Sequence, residues 1–192
     1  MNPGRRSCLL RLLPLASLVL LPCSVVAEEG PALFVSEDDI KVSRQGEAWI
    51  VEASFPVPVP PAQAWEVLTD FDHMAGFVTD LSLSRVVSRQ GNVLQVEQKG
   101  RAHVGLFSVN FESLREITLH PTQRIQVRGI SGSTKRFDSE LILSPEAGGA
   151  RVVYRAETVP DFWLPGFIGG SLLRHQMAGQ FSAVVREMQR RQ

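Results

Sequence analysis

Cysteine is almost absent from this chain. The sequence has two cysteines in 192 residues, Cys8 and Cys23, and both precede Ala27. Disulfides, cysteine nucleophiles and thiolate metal ligands are therefore excluded from the 165 residues that follow Ala27. A domain of that length has enough residues to be stabilised by an apolar core alone.

Lysine is also scarce, and neither sign of charge is in excess. The chain has three lysines and a formal net charge of +0. Without the segment that carries Arg5, Arg6 and Arg11, 17 basic residues face 20 acidic ones, a net charge of −3. Nucleic-acid-binding domains are strongly basic, so nucleic acid is excluded as a partner, and no run of lysines indicates an anionic membrane.

The N-terminal apolar stretch is too short and too broken by proline to span a membrane. Leu12–Leu21 contains Pro14 and is followed by Pro22. Arginines precede it and the small-residue sequence Val25–Ala27 follows it, the pattern of a secretory signal peptide. We predict a signal peptide over residues 1–27 that is cleaved after Ala27, export to the periplasm, a flexible lead-in over 28–39, and one folded domain over 40–192.

Catalytic and metal-binding motifs are missing. The four histidines, His73, His103, His120 and His175, have no metal-ligand spacing, and we interpret them as surface or rim residues. Gly129–Ser133 lacks the G-x-S-x-G spacing of a nucleophile elbow and is interpreted as a turn. The sequence thus predicts no metal, no cofactor and no catalytic residue.

The dominant pattern is alternation with a period of two. It begins at Leu81 and continues to Val159, after a short hairpin around Arg44–Glu47 and a helix that begins near Pro61. The predicted strands are Ile40–Val42, Ala48–Phe55, Leu81–Ser88, Asn92–Arg101, Val109–Leu119, Arg124–Ile130, Lys135–Leu143 and Ala150–Val159. One long helix follows them, which defines an α+β class.

The alternation assigns one face of the sheet to solvent and the other to the interior. Charged residues of both signs share one parity, for example Glu97, Glu116, Arg128 and Arg155, and can pair across strands. The opposite parity is mostly apolar: Leu94, Val96, Phe111, Ile117, Ile125, Val127, Phe137, Leu141, Leu143, Val152 and Tyr154. An antiparallel sheet that is wet on one side must be covered on the other.

The last helix, predicted over Leu164–Arg191, is the element long enough to cover that face. Its apolar stripe consists of Leu173, Met177, Phe181, Val184 and Met188, and its polar side includes His175, Ser182 and Glu187. Gly166 and Gly170 fall on the line of the stripe. Their missing side chains predict either a close backbone contact or a space, and we interpret the helix as a lid over a cavity.

A family resemblance supports this arrangement. The segment Val57–Phe71, the following Met74–Asp80, Leu114–Glu116, Pro121–Ile125 and Ser139–Pro145 resemble, in this order, the START-like superfamily, also called SRPBCC or helix-grip. The likeness covers Ala48 to the C-terminus and is greatest to the polyketide cyclase/dehydrase and lipid transport branch and the coenzyme-Q-binding branch. It implies a curved antiparallel sheet of about seven strands wrapped around a long C-terminal helix, short helices after the first strands, and a tunnel for a hydrophobic small molecule.

Polar residues on the inward parity are the candidates for orienting such a molecule. They are Gln98, Ser113, Arg115, Ser139 and Tyr154. Each needs a neighbour, a water or a ligand, because a buried polar group without a partner is destabilising. Arg115 either holds a carboxylate, phosphate or carbonyl of the ligand, or extends outward or pairs with an internal carboxylate. With apolar walls added, the predicted cavity residues are Gln98, Phe111, Ser113, Arg115, Phe137, Ser139, Tyr154, Trp163, Phe167, Gly170, Leu173, Met177 and Phe181.

Three functions remain open at this point. The preferred one is a non-enzymatic, exported binding or transport protein for a lipid or other hydrophobic small molecule. The second is a cyclase or dehydratase acting on a polyketide-like substrate, with Arg115, Tyr154 or His103 as acid or base. The third is a partner-binding module that uses the apolar cluster Phe162–Leu172, which could otherwise be a tunnel mouth, a transient membrane contact or a surface covered by a loop.

Overall fold

The structure is a computed structural model that describes residues 34–104, 107–161 and 166–192, with side chains except those of 102–107 and 166–168. The sequence predictions for residues 1–33, which include the signal peptide, lie outside the described residues. The elements are β1 Ile40–Gln45, β2 Ala48–Val57, α1 Pro61–Leu68, β3 Leu81–Gln90, β4 Val93–Val104, β5 Phe107–His120, β6 Arg124–Gly132, β7 Thr134–Glu146, β8 Gly149–Pro160 and α2 Gly166–Arg190. Two short 3₁₀ turns, Glu37–Asp39 and Met74–Gly76, precede β1 and β3.

All strands belong to one antiparallel sheet of eight strands in the order β1-β2-β8-β7-β6-β5-β4-β3. The α+β helix-grip prediction is confirmed, and the sheet has one strand more than the seven or so that the resemblance implies. The first strand, β1, was predicted from the sequence over Ile40–Val42, and it pairs along β2 from Ile40 opposite Ala53 to Gln45 opposite Ala48. The tight turn at Gly46, which has a φ of +63°, makes this edge hairpin possible.

The two faces of the sheet follow the predicted parity. Leu94, Val96, Ile117, Ile125 and Val152 are buried on the inner face. On the outer face, charged side chains pair across neighbouring strands: Arg85 with Glu97, Lys99 with Glu112, Arg128 with Glu116, Arg124 with Glu140, and Arg155 with Glu52. These ion pairs are exposed and contribute little to stability, but their charges keep this face of the sheet toward solvent.

Helix α1 follows from local sequence chemistry. Pro61 occupies its first turn, where a missing N–H leaves no hydrogen bond unmade. Ala64, Val67 and Leu68 are buried on its inner side. The helix ends at Leu68, and the Thr69 hydroxyl donates to the carbonyl of Trp65.

Helix α2 packs most closely beside β1, β2 and α1. Phe181 and Met188 from the predicted stripe are buried, while Leu173, Met177 and Val184 are partly buried. Two residues that the sequence assigned to the polar side are buried instead. Ser182 is covered by the lead-in, and Glu187 is covered by a cluster of arginines.

The described part of the lead-in, residues 34–39, is fixed onto α2 rather than free of contacts. The Val35 N–H donates to the Ser182 hydroxyl at 2.8 Å, and that hydroxyl donates to the Val35 carbonyl at 3.4 Å. Val35 is buried in the main core cluster, and Glu37 pairs with His175. This segment therefore holds the middle of α2 against the sheet.

The C-terminal end of α2 is attached to the end of α1. Arg191 donates to Glu187 at 2.7 Å and to Asp70 at 2.8 Å, and Arg190 also donates to Glu187. The Gln63 side chain donates to the Met188 carbonyl at 2.8 Å. We call the group Asp70, Glu187, Arg190 and Arg191 the C-terminal clasp. Within the described ranges, no helix has the length and apolar content needed to cross a membrane.

Candidate functional site

A cavity of about 220 Å³ lies between the inner face of the sheet and α2. Helix α2 packs mainly against β1, β2 and α1 rather than against β4–β7, and this arrangement leaves the space. The sheet contributes Gln98, Phe111, Arg115, Ile117, Ile125, Val127, Phe137, Ser139, Leu141 and Tyr154. The segment from α1 to β3 contributes Leu68, Phe71, Met74, Val78 and Leu81, and α2 contributes Met177, Gln180, Phe181 and Val184.

Arg115 is held in the cavity wall by local backbone geometry. The register between β5 and β6 shifts between Leu114 and Arg115, so that Arg115 lies opposite Gly129. A Cβ at Gly129 would lie 3.2 Å from the Cβ of Phe137, so glycine here allows β7 to approach closely. The Phe137 ring then lies under the Arg115 guanidinium, 4.4 Å from ring centroid to Cζ, in a cation–π contact.

The charge of Arg115 has no carboxylate beside it in the described part of the cavity. Its Nε is completely buried and has no hydrogen-bond partner among the described residues. Burial lowers the pKa of Arg115, an effect that the nearby Tyr154 partly offsets. Arginine nevertheless keeps its proton in proteins, so a cation lies in this wall.

Tyr154 lies on the neighbouring part of the wall. Its ring meets the edge of Phe181 at 5.2 Å, and Phe181 in turn lies 4.9 Å from Phe55. Burial raises the pKa of the Tyr154 hydroxyl, and a hydrogen bond with Ser139 and the charge of Arg115 act in the opposite direction. Tyr154 is therefore a neutral phenol at physiological pH.

A second polar group lies where β4 faces the turn before β3. The Gln98 amide donates to the Ser84 hydroxyl at 3.2 Å and to the Met74 sulfur at 3.7 Å. Ser113 is directly opposite Gln98 on β5, and its buried hydroxyl has no partner in the described part of the chain. The cavity thus has apolar walls with a few polar groups on the sheet side, the composition typical of small-molecule sites.

The structure brings eight of the predicted cavity residues to the cavity wall. They are Gln98, Phe111, Arg115, Phe137, Ser139, Tyr154, Met177 and Phe181. Ser113 lies beside them on the inward side of β5 but does not line the space. Trp163 and the side chain of Phe167 lie outside the described residues, as do the side chain of His103 and most of the cluster Phe162–Leu172.

The cavity is not formed by Gly170, one of the two glycines from which the sequence predicted it. Gly170 does not line the space, since a Cβ there would meet only the Trp49 ring, at 3.7 Å. Gly179 is exposed, with nothing within 4 Å of such a Cβ. Leu173 is partly buried but also away from the cavity. The space lies further along α2, at Met177, Gln180, Phe181 and Val184.

Sequence reasoning missed the wall formed by the segment after α1. The helical spacing of Leu68 and Phe71 indicates that this segment packs against something, but not against what. Phe71 and Val78 are buried, and Met74 lies close enough to accept from Gln98. The signal available was the density of apolar residues between Phe71 and Leu81 in a segment without strand alternation.

The described histidines lie away from the cavity. His73 pairs with Asp70, His120 with Gln126 and His175 with Glu37, all in exposed positions. No group of three or more His, Cys, Asp or Glu side chains that could hold a metal ion occurs within residues 34–104, 107–161 and 166–192.

A curled antiparallel sheet that grips a C-terminal helix over an apolar cavity defines the START-like class of folds. The model of one family, described as polyketide cyclase / dehydrase and lipid transport, matches residues 57–181. The chain belongs to this family.

Solved structures with the same fold include a lipid transfer protein and an aromatase/cyclase. A STAR-related lipid transfer protein from Xanthomonas axonopodis is 11% identical with a TM-score of 0.61, and the match covers 79% of this chain and 99% of that one. An aromatase/cyclase from a Streptomyces species is 17% identical with a TM-score of 0.61, covering 75% of this chain and 95% of that one. A START superfamily protein from Mycobacterium smegmatis is 10% identical with a TM-score of 0.62, covering 74% and 99%. A comparison with curated protein sequences finds no match.

Proposed function

We propose that this protein binds and carries a hydrophobic small molecule in the cavity between the sheet and α2. The observation that carries the proposal is the apolar cavity of about 220 Å³, enclosed by aromatic and aliphatic side chains. Binding would be driven by transfer of apolar area out of water, with a few polar groups fixing the orientation of the ligand. The family description and the STAR-related lipid transfer protein among the structural neighbours support this function.

The cavity chemistry favours a carrier over an enzyme. A cyclase or dehydratase needs a group that accepts a proton as well as one that donates it. The described residues that line the cavity include no Asp, Glu or His. Arg115 and Tyr154 both hold their protons at neutral pH, so they can donate hydrogen bonds but do not supply a base.

A cyclase or dehydratase is the second candidate function, and the convergence of Arg115 and Tyr154 in one cavity favours it. These two groups could polarise a carbonyl of a polyketide-like substrate. The aromatase/cyclase among the structural neighbours gives the same indication. Turnover of an aromatic polyketide precursor by the purified protein, abolished by Tyr154→Phe, would establish this alternative.

A cavity-filling variant tests the proposed carrier function. Val127 lines the cavity and is partly buried, so Val127→Phe should place a ring in the space. We expect affinity for 1-octanol, measured by isothermal calorimetry, to fall at least about tenfold, because the alkyl chain loses its apolar surroundings. The melting temperature should stay unchanged or rise, since the ring fills a void.

Val153→Phe provides the matched control. Val153 is 39% exposed on the outer face of β8, so the same substitution leaves the cavity open. Binding of 1-octanol by this variant should equal that of the unmodified protein. Equal binding by Val127→Phe would show that the alcohol binds elsewhere and would contradict the proposal.

We further propose that the protein is exported, with residues 1–27 removed as a signal peptide, and acts in the periplasm. The arginine-rich start, the proline-broken apolar run and the Val25–Ala27 site support this location. Mass spectrometry of the protein from a cell fraction should show a chain that begins at Glu28. An intact Met1 in the cytoplasmic fraction would contradict it. Contact of the cluster Phe162–Leu172 with a membrane or a partner protein stays a prediction.

A further inference from the structure

Buried hydrogen-bond donors without acceptors distinguish this interior from an ordinary apolar core. Three completely buried side-chain polar atoms lack a partner in the part of the chain that the structure describes: Ser113 Oγ, Arg115 Nε and Arg174 Nε. All three can donate a hydrogen bond. A buried donor with no acceptor typically destabilises a fold, and a charged donor does so most, so such groups indicate a ligand that supplies the acceptor.

Two of these donors, Ser113 and Arg115, belong to the sheet beside the cavity, and Arg115 lines it. Ser113 and Arg115 lie two residues apart on β5 and therefore on the same face of the sheet, the face that lines the cavity. Arg174 lies on α2, three residues before the cavity residue Met177 and four before the buried Ala178. Its Nε is buried, but Arg174 does not line the cavity, so Arg115 is the donor available to a ligand there.

The surroundings of Arg115 explain why an anion fits here. The Phe137 ring covers one face of the guanidinium, and the buried Nε–H has no acceptor among the described residues, so it can donate to a ligand. The nearby Tyr154 hydroxyl is neutral and can itself donate. No described carboxylate lines the cavity, so the protein provides a cation and donors without a matching negative charge.

We infer that the ligand is a compact organic anion whose carboxylate or similar anionic oxygen group pairs with Arg115 inside the cavity. This inference rests on the proposed carrier function and specifies its ligand class. The size of the cavity indicates that the ligand is compact. At about 220 Å³ it exceeds the cavity of about 150 Å³ that accommodates benzene, and it is smaller than the 300–1,000 Å³ or so of sites for drug-sized molecules. A single ring or a short chain fits, whereas a lipid with two acyl chains does not.

Octanoate and 1-octanol form a matched pair of probes, since they share a chain length and differ in head-group charge. We expect the mature protein to bind octanoate on the order of tenfold or more tightly than 1-octanol at neutral pH, as a charge-assisted hydrogen bond provides. In Arg115→Met this preference should disappear while 1-octanol binding persists. Arg115→Lys should retain part of the preference. Arg128→Met, which removes an exposed arginine paired with Glu116 on the outer face, should change neither affinity.

The outcomes separate this inference from the function on which it rests. If neither probe binds the unmodified protein, the carrier function itself fails. If 1-octanol binds as tightly as octanoate and Arg115→Met changes neither, the carrier function stands and the anionic ligand class is wrong.

The melting temperature of the ligand-free protein gives a second readout. Removing an unpaired buried cation should leave the melting temperature of Arg115→Met unchanged or higher. A fall in melting temperature with unaltered octanoate binding would assign Arg115 a purely structural role and overturn the inference.

Discussion

Glu187 is a buried carboxylate near the C-terminal end of α2, where it accepts hydrogen bonds from Arg190 and Arg191 in the C-terminal clasp. Its position on α2 falls on the polar side, yet its side chain is only 8% exposed because Arg190 and Arg191 fold over it. Hydrogen bonds from Arg190 and Arg191 lower the pKa of Glu187 to about 2. Although partial burial acts in the opposite direction, hydrogen bonds from His73 and Arg191 also hold the pKa of Asp70 below its usual value.

The pKa of Glu187 predicts a pH dependence of stability. A carboxylate whose folded pKa lies below its ordinary value stabilises the fold above the ordinary value, 4.5, and this contribution is lost as the pH falls toward 2. We expect Glu187→Gln to lower the free energy of unfolding by about 1–3 kcal/mol at neutral pH, because charged hydrogen bonds to two arginines are weakened. Urea unfolding at a series of pH values measures both effects.

The difference in free energy of unfolding between the unmodified protein and Glu187→Gln should shrink as the pH falls from 4.5 toward 2, since Glu187 becomes protonated. A difference that is constant over this range would mean that the clasp acts by packing rather than by charge.

At the scale of elements, the lead-in and α2 form one unit. Residues 34–39 contact α2 through a buried tie, Ser182 to both backbone groups of Val35, and an exposed tie, His175 to Glu37. The two ties differ in the surroundings of their polar groups. Loss of the buried tie leaves an N–H and a carbonyl without water or partner, whereas loss of the exposed tie is compensated by solvent.

Ser182→Ala should therefore destabilise the protein by about 1–3 kcal/mol, measured by chemical unfolding. His175→Ala should change the free energy of unfolding by less than about 1 kcal/mol, as exposed ion pairs do. Equal effects of the two substitutions would show that the lead-in is not held by the Ser182 hydroxyl.

The element pattern was largely predictable from the sequence because the sheet has one wet and one dry face. Alternation identified the strands and assigned Phe111, Phe137 and Tyr154 to the interior, and a spacing of three and four identified the stripe of α2. The position of the space between them was not predictable. It depends on how far α2 stands from the sheet, which the Ser182 tie and the C-terminal clasp determine through contacts between residues distant in sequence. The register shift beside Arg115 has no local sequence signal other than Gly129.

At the scale of the whole molecule, the tightly packed core and the cavity lie in different parts of the fold. The C-terminal half of α2, α1 and β2 carry the tightly packed contacts, with Val57, Val67, Val185 and Met188 fully buried. The middle of the sheet carries the cavity and its unpaired donors. Under the proposed function, the polar groups that the cavity keeps in the interior are matched to a ligand, which would offset the cost of burying them.

The most direct test of the cavity as a binding site is solution NMR of the purified protein with 1-octanol. We expect intermolecular nuclear Overhauser effects from the alkyl chain to the methyl groups of Met177, Val127 and Val184, which line the cavity. The methyl groups of Ile142 and Val153, both exposed on the outer face, should show none. Contacts confined to Ile142 and Val153, or no contacts at saturating alcohol, would contradict the account.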